Sequence, residues 1–152
     1  MSRFTTLVSL LVIGLLVVFA YYERERAASP TQSTEIIGEV SYVVDGDTLI
    51  LSRIDGSELK VRLEGIDAPE IGQAFGEKSK RWLADATADV AVRLVASGTD
   101  RYGRTLGDLY VGNRWLNREL VASGLAWHYA RYRQNWELAN AQKAAQRSKL
   151  GL

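Results

Sequence analysis

Asp45 and Asp47 flank a glycine in Asp45-Gly46-Asp47, and two more carboxylates follow in Ile66-Asp67-Ala68-Pro69-Glu70. Both clusters fall at the ends of segments that read as strands. Positions 47 and 67 are equidistant from residue 57, inside the turn Asp55–Glu58. An antiparallel hairpin about that turn would set Asp47 and Asp67 opposite each other at its open end. Directly paired strand residues stand ~4.5–5.5 Å apart, and like charges there destabilise the pair. A cation between them turns the cost into a binding site. Oxygen-only donors suit a hard ion, Ca²⁺ or Mg²⁺, with a backbone carbonyl such as that of Ala68 and waters completing the shell. Asp-Gly-Asp alone would read as a turn; the opposed second aspartate shifts the reading to metal.

Pro69 stiffens the loop and holds Glu70 near the expected ion. A carboxylate so placed, and not spent as a ligand, can take a proton from water or orient it. Arg62 lies on the polar face of the strand leading to Asp67. Arg104 follows Gly103, which permits a tight turn. Guanidinium groups grip phosphate bidentately and stabilise charge that develops on it. Two of them beside a hard-metal site make a set shaped for a phosphodiester.

The elements that must position these groups are legible in the pattern. Strands are predicted over Ile36–Val44, Asp47–Arg53, Leu59–Ile66, Asp89–Val95 and Arg104–Val111, with Asp45-Gly46 and Asp55-Gly56 as turn signals. A helix is predicted over Phe75–Ala86, with Phe75, Ser79, Trp82, Leu83 and Ala86 on one side. A short helix over Leu116–Ser123 is closed by Gly124. The longest, Trp136–Lys149, carries Leu138, Ala141 and Ala145 on one face and ends at Gly151. The fold class is mainly β with α (α+β): a five-stranded OB-type Greek-key barrel with about three helices.

Composition narrows the alternatives. The chain has 152 residues, 47% hydrophobic and 24% charged, values of a globular domain rather than a disordered or fibrous chain. With no cysteine and one histidine, it has no disulfide scaffold, Cys-ligated zinc site, iron–sulfur cluster, thiol nucleophile or multi-His zinc site. Trp82, Trp115 and Trp127 are expected in the core, and His128 is expected to be structural and without a partner.

The N-terminal segment is read apart from the fold. Residues 1–22 carry an apolar run from Phe4 to Tyr22, expected as a signal peptide or as an N-terminal membrane anchor through residues 4–22. Arg3 biases the N-terminus to the cytoplasm, so the remainder is expected to be exported: secreted or periplasmic if cleaved, otherwise membrane-anchored with the domain outside the cytoplasm. Residues 23–34 read as a polar linker, and residues 35–152 as the folded domain.

Asp-Gly-Asp-Thr-Leu at 45–49, Val61 to Glu70, Asp100 to Gly107, Leu116 to Trp127 and the Ala-rich last helix, in this order, resemble the thermonuclease (staphylococcal nuclease-like) family. The likeness runs from Ile36 to the C-terminus. It implies a five-stranded OB-type barrel with three helices and Ca²⁺-dependent hydrolysis of DNA and RNA phosphodiesters, releasing 3′-phosphate products. It implies one Ca²⁺ ion held by Asp47, Asp67 and the carbonyl of Ala68, with Asp45 behind them. Glu70 matches the general base, Arg62 and Arg104 the phosphate-binding arginines, and Tyr102 a tyrosine packed near the nucleotide. Tyr129 and Tyr132 are expected to stack on a base. Single-stranded or denatured DNA and RNA are the implied substrates, and a monomer is the expected form. The rival readings are a catalytically inactive OB-fold module that binds nucleic acid or protein, and a glycosidase using a carboxylate pair. Intact acids weigh against the first and two flanking arginines against the second.

The net charge of +1 conceals a polarised molecule. Residues 29–100 hold 7 basic and 13 acidic residues, net −6, whereas residues 101–152 hold 9 basic and 3 acidic, net +6. Binding of a nucleic acid would therefore be local and salt-sensitive.

Overall fold

The computed structural model describes residues 34–152, together with Gly14, Leu16, Val18, Phe19 and Tyr21, which are helical and exposed. The signal or anchor expected at 1–22 and the linker at 23–34 otherwise lie outside the described residues. Thr34, expected as the last linker residue, opens the first strand. Among the described residues no helix is long and apolar enough to cross a membrane. Ser33–Leu152 forms one compact unit.

Five strands close into a barrel: β1 (Thr34–Val43), β2 (Thr48–Arg53), β3 (Glu58–Leu63), β5 (Val92–Thr99) and β6 (Thr105–Val111). Their order is β3-β2-β1-β5-β6, and a parallel β3–β6 pairing, Val61↔Thr105 to Leu63↔Gly107, closes the ring. β1 serves two neighbours, pairing with β5 over residues 34–38 and with β2 over residues 38–43. The change of partner falls at Gly38, and a register shift between Val40 and Tyr42 interrupts the β2 pairing beyond it. Alternation along the strands puts Leu49, Leu51, Val61, Leu63, Leu94 and Leu109 inside, each at most 1% exposed. Short strands β4 (Ile66–Asp67), β7 (Arg114–Trp115) and β8 (Trp127–His128) were not foreseen, because two residues carry no periodicity.

Three helices cover the barrel: α1 (Gly76–Thr87), α2 (Leu116–Ala122) and α3 (Trp136–Arg147). α1 buries Ser79 and Leu83 as expected, while Phe75 stands outside the helix at its N-terminus and is exposed. α3 buries Leu138, Ala141 and Ala145, and the Asn135 side chain caps it by accepting from the N–H groups of Glu137 and Leu138. The fourth barrel strand lies three residues later than expected. Asp89 adopts a left-handed conformation (φ 54°) in the connection after α1, so pairing begins at Val92.

Asn117 of α2 is fully buried and shows how the helices hold the site's frame. Its Oδ1 accepts from Leu109 N–H, and its Nδ2 donates to the carbonyls of Glu64 and Gly107. One side chain thus joins β6 to the turn that leads into β4.

Candidate active site

Asp47 ends the Asp45-Gly46-Asp47 turn and is almost wholly buried. The turn is closed by the Asp47 N–H donating to Asp45 Oδ1 at 2.9 Å. Gly46 packs directly on the buried Ser79 of α1, leaving no room for a Cβ, so the acidic loop is seated on that helix. Asp47 Oδ2 accepts from the Ala68 N–H at 2.6 Å, and Oδ1 from Thr48 Oγ1 at 3.1 Å. Burial pushes the Asp47 carboxyl up to about 7, against the lowering effects of Arg62 and the Ala68 N–H, while Asp45 adds to the rise.

The hairpin that was expected to oppose Asp47 and Asp67 has another register. Thr48 pairs with Arg62, and the Leu63 N–H donates to the Asp47 carbonyl, so Leu63 lies across from Asp47. The chain then turns at Gly65, whose φ of +75° belongs to the left-handed region open to glycine. β4 leaves the barrel and pairs with β8, placing Asp67 opposite Trp127.

The two acids are joined by Arg62. Its Nη1 lies 2.8 Å from Asp47 Oδ2 and donates also to the carbonyls of Ile66 and Leu63 at 3.0 and 3.2 Å. Nη2 donates to Asp67 Oδ1 at 2.9 Å. The cation between the carboxylates is therefore a guanidinium, and most of its donors are already engaged. Among the described residues, no three of Asp, Glu, His and Cys converge as a ready-made ligand group. The donors that are present nonetheless fit a hard divalent ion: the carboxylates and the Ala68 carbonyl offer only oxygen, and both acids already converge on one positive group.

Glu70 is exposed at the head of a tight turn, its N–H donating to Gln73 Oε1 and its carbonyl accepting from Gln73 N–H. Among the described residues it forms no ion pair, so its side chain is placed near Ala68 in sequence but is not tied into the cluster. Arg104 is fixed by Asp100, with Nε 2.8 Å from Oδ2, and lies 5.7 Å from the centre of the Tyr102 ring. Burial works to raise the Asp100 carboxyl, but hydrogen bonds from Arg104 and the Tyr102 N–H outweigh it and hold it below its usual value.

A cavity of about 420 Å³ brings the basic and aromatic residues together: Arg62, Tyr102, Arg104, Tyr129 and Tyr132 all line it. Tyr129 and Tyr132 pack on each other at 4.9 Å between centroids, and both remain open to solvent. Asp47, Asp67 and Glu70 are not part of the lining; Arg62 is the link between acids and cavity.

Some placements differ from expectation. Trp127 is 42% exposed rather than in the core, whereas Trp82 and Trp115 are half-buried against it. His128 has partners: its Nε2 lies 2.9 Å from the Arg133 carbonyl, and its N–H donates to Gln142 Oε1. A second polar cluster escaped sequence reading. The buried Asp108 accepts from Arg133 Nη1 at 2.7 Å and from Trp115 Nε1 at 3.0 Å, and Arg133 also reaches Glu64 at 3.3 Å. It anchors the segment that carries Tyr129 and Tyr132. Its members come from three distant stretches, so no local motif announces it. Burial outweighs Arg133 and pushes the Asp108 carboxyl up; burial also opposes the Arg133 charge, but Asp108 and Glu64 hold it above its usual value.

A closed mixed barrel with helices packed around it, bearing an acid–arginine cluster beside a tyrosine-lined cavity, defines a protein of OB-type fold. Comparison with known proteins narrows the class. Residues 60–152 match the family model described as staphylococcal nuclease homologue. An uncharacterized endonuclease of Haemophilus influenzae is 39% identical over 94% of this chain and 77% of its own length. A micrococcal nuclease of Shigella flexneri is 37% identical over 76% of this chain and 72% of its own. A thermonuclease of Staphylococcus intermedius is 31% identical over 100% of this chain and 98% of its own. The chain belongs to the staphylococcal nuclease family.

Proposed function

We propose that this chain is a nuclease: a Ca²⁺-dependent hydrolase of DNA and RNA phosphodiesters that leaves 3′-phosphate products and works as a monomer. The observation that carries the reading is Arg62, which touches both aspartates and lines the cavity that holds Arg104 and the tyrosines. Asp47 and Asp67, with the Ala68 carbonyl, would hold the single ion, and Asp45 fixes the Asp47 backbone behind them. When bound, the ion supplies positive charge that polarises a phosphate oxygen.

The chain's own groups account for the rest. Arg104 grips the phosphate and stabilises the charge that gathers on it during displacement, and Arg62 does so with the few donors not taken by Asp47, Asp67 and the backbone carbonyls. Glu70, exposed and without an ion pair among the described residues, takes a proton from the attacking water or orients it. Tyr129 and Tyr132 stack on a base beside Tyr102. Residues 1–22 act as a signal peptide or anchor that places the domain outside the cytoplasm.

The test is cleavage of denatured DNA by the full chain in Ca²⁺. Excess EGTA and Glu70→Ala are each expected to abolish it. Full activity in chelator removes the metal from the reading. Retained binding without cleavage makes the chain the inactive module instead.

A further inference from the structure

We propose that Trp127 is a base-stacking position beside Asp67, next along the ribbon from the tyrosine cavity, so that a bound single strand lays one base on Trp127 and its neighbour on Tyr129. The proposal deepens the nuclease reading and rests on it. Its basis is the β4–β8 ribbon. Asp67 pairs directly with Trp127, and Ile66 with His128. The Tyr129 N–H donates to the Gly65 carbonyl at 2.9 Å, carrying the ladder one step further. Directly opposed side chains share a face, and successive ones alternate. Ile66 is 2% exposed, so its face is the inner one. Asp67, Trp127 and Tyr129 therefore share the outer face, where Gly65 adds no side chain.

Same-face residues along a strand stand about 7 Å apart, room for one base on each of Trp127 and Tyr129. Trp127 is 42% exposed, and among the described residues no hydrogen bond engages its indole N–H, whereas the indole of Trp115 donates to Asp108. The indole offers a broad neutral face beside the half-exposed carboxylate of Asp67. That pairing repels an anionic group and accepts a flat, uncharged ring, which is the chemistry of a nucleobase. Arg62, which donates to Asp67 Oδ1, supplies the cation for the phosphate next to that base.

The test is a cycle between protein and substrate, using the full chain and single-stranded oligonucleotides with one defined cleavage point. Removing the base on one side of that point should lower kcat/KM about tenfold in the unmodified chain, a typical value for one lost stack. The same removal should cost nothing further in Trp127→Ala, while Trp127→Phe retains most of the coupling. Equal losses for Trp127→Ala at every abasic position overturn the proposal, because they mean that Trp127 acts only by holding the ribbon. So does a shift in oligomeric state on Trp127→Ala with no coupling to any base, which would make the indole a contact for a second copy. If the unmodified chain cleaves nothing, the nuclease reading falls, and the same cycle is read as oligonucleotide affinity by fluorescence anisotropy. Coupling there sustains the stacking assignment; absence of coupling or of binding removes it.

Discussion

The guanidinium of Arg62 lies 2.8 Å from the carboxylate of Asp47, and little of either side chain is open to water. A pair so placed is sensitive to the loss of one member. Arg62→Met leaves a buried carboxylate without its counter-charge and is expected to cost about 3 kcal/mol in chemical denaturation. Adding Asp47→Asn should recover much of that loss. Additive losses would mean that the two residues do not stabilise each other.

A divalent ion held by the same acids would compete with Arg62 for them and would bind the folded chain alone. Ca²⁺ at a hundred times its Kd should stabilise the fold by about 2.7 kcal/mol, seen as a rise in Tm reversed by EGTA. Asp67→Asn should abolish the rise while leaving the metal-free Tm within a few degrees, because half of the Asp67 side chain is exposed.

Tyr129 and Tyr132 share one wall of the cavity, so each substitution removes stacking surface without touching the acids. Tyr132→Ala should raise KM for single-stranded DNA about tenfold and change kcat less than threefold. A loss confined to kcat would place Tyr132 in the chemical step.

Asp108 gives a pH dependence with a definite sign. Its carboxyl is raised in the folded chain by burial, so the folded state holds this proton more firmly than the unfolded state does. Its contribution to stability is complete below the ordinary aspartate value of about 3.9 and is lost as pH rises through the folded value. Carboxyl chemical shifts should place the Asp108 midpoint above 3.9, and Arg133→Met should move it further up. A midpoint below 3.9 would mean that Arg133 and Trp115 outweigh burial.

The frame was readable where residues repeat with a period. Alternating Leu49, Leu51, Val61 and Leu63, and Leu138 with Ala141 and Ala145, report their own burial, because one face of each element must meet the core. The site was readable as residue types at strand ends but not as geometry. Counting outward from residue 57 takes the wrong centre: Thr48 pairs with Arg62, so Asp47 meets Leu63, and the left-handed Gly65 then ends the hairpin two residues before Asp67. Asp67 and Trp127 meet across a ribbon too short to have a pattern. Arg62 looks the same in sequence whether it awaits a phosphate or binds two neighbouring acids. The carbonyls of Leu63 and Ile66, which hold its Nη1 beside Asp47, separate the two.

The parallel seam between β3 and β6 has a consequence for when the molecule can act. Val61 and Thr105 are neighbours in that seam, with Arg62 and Arg104 each one residue away. Strands so far apart in sequence join slowly, since the intervening chain must be ordered first. Until they join, the two arginines belong to separate parts of the polymer. An incompletely folded copy carries both arginines without the one cavity that they line in the closed barrel. In refolding, cleavage should return with the barrel's last seam rather than with its first hairpin.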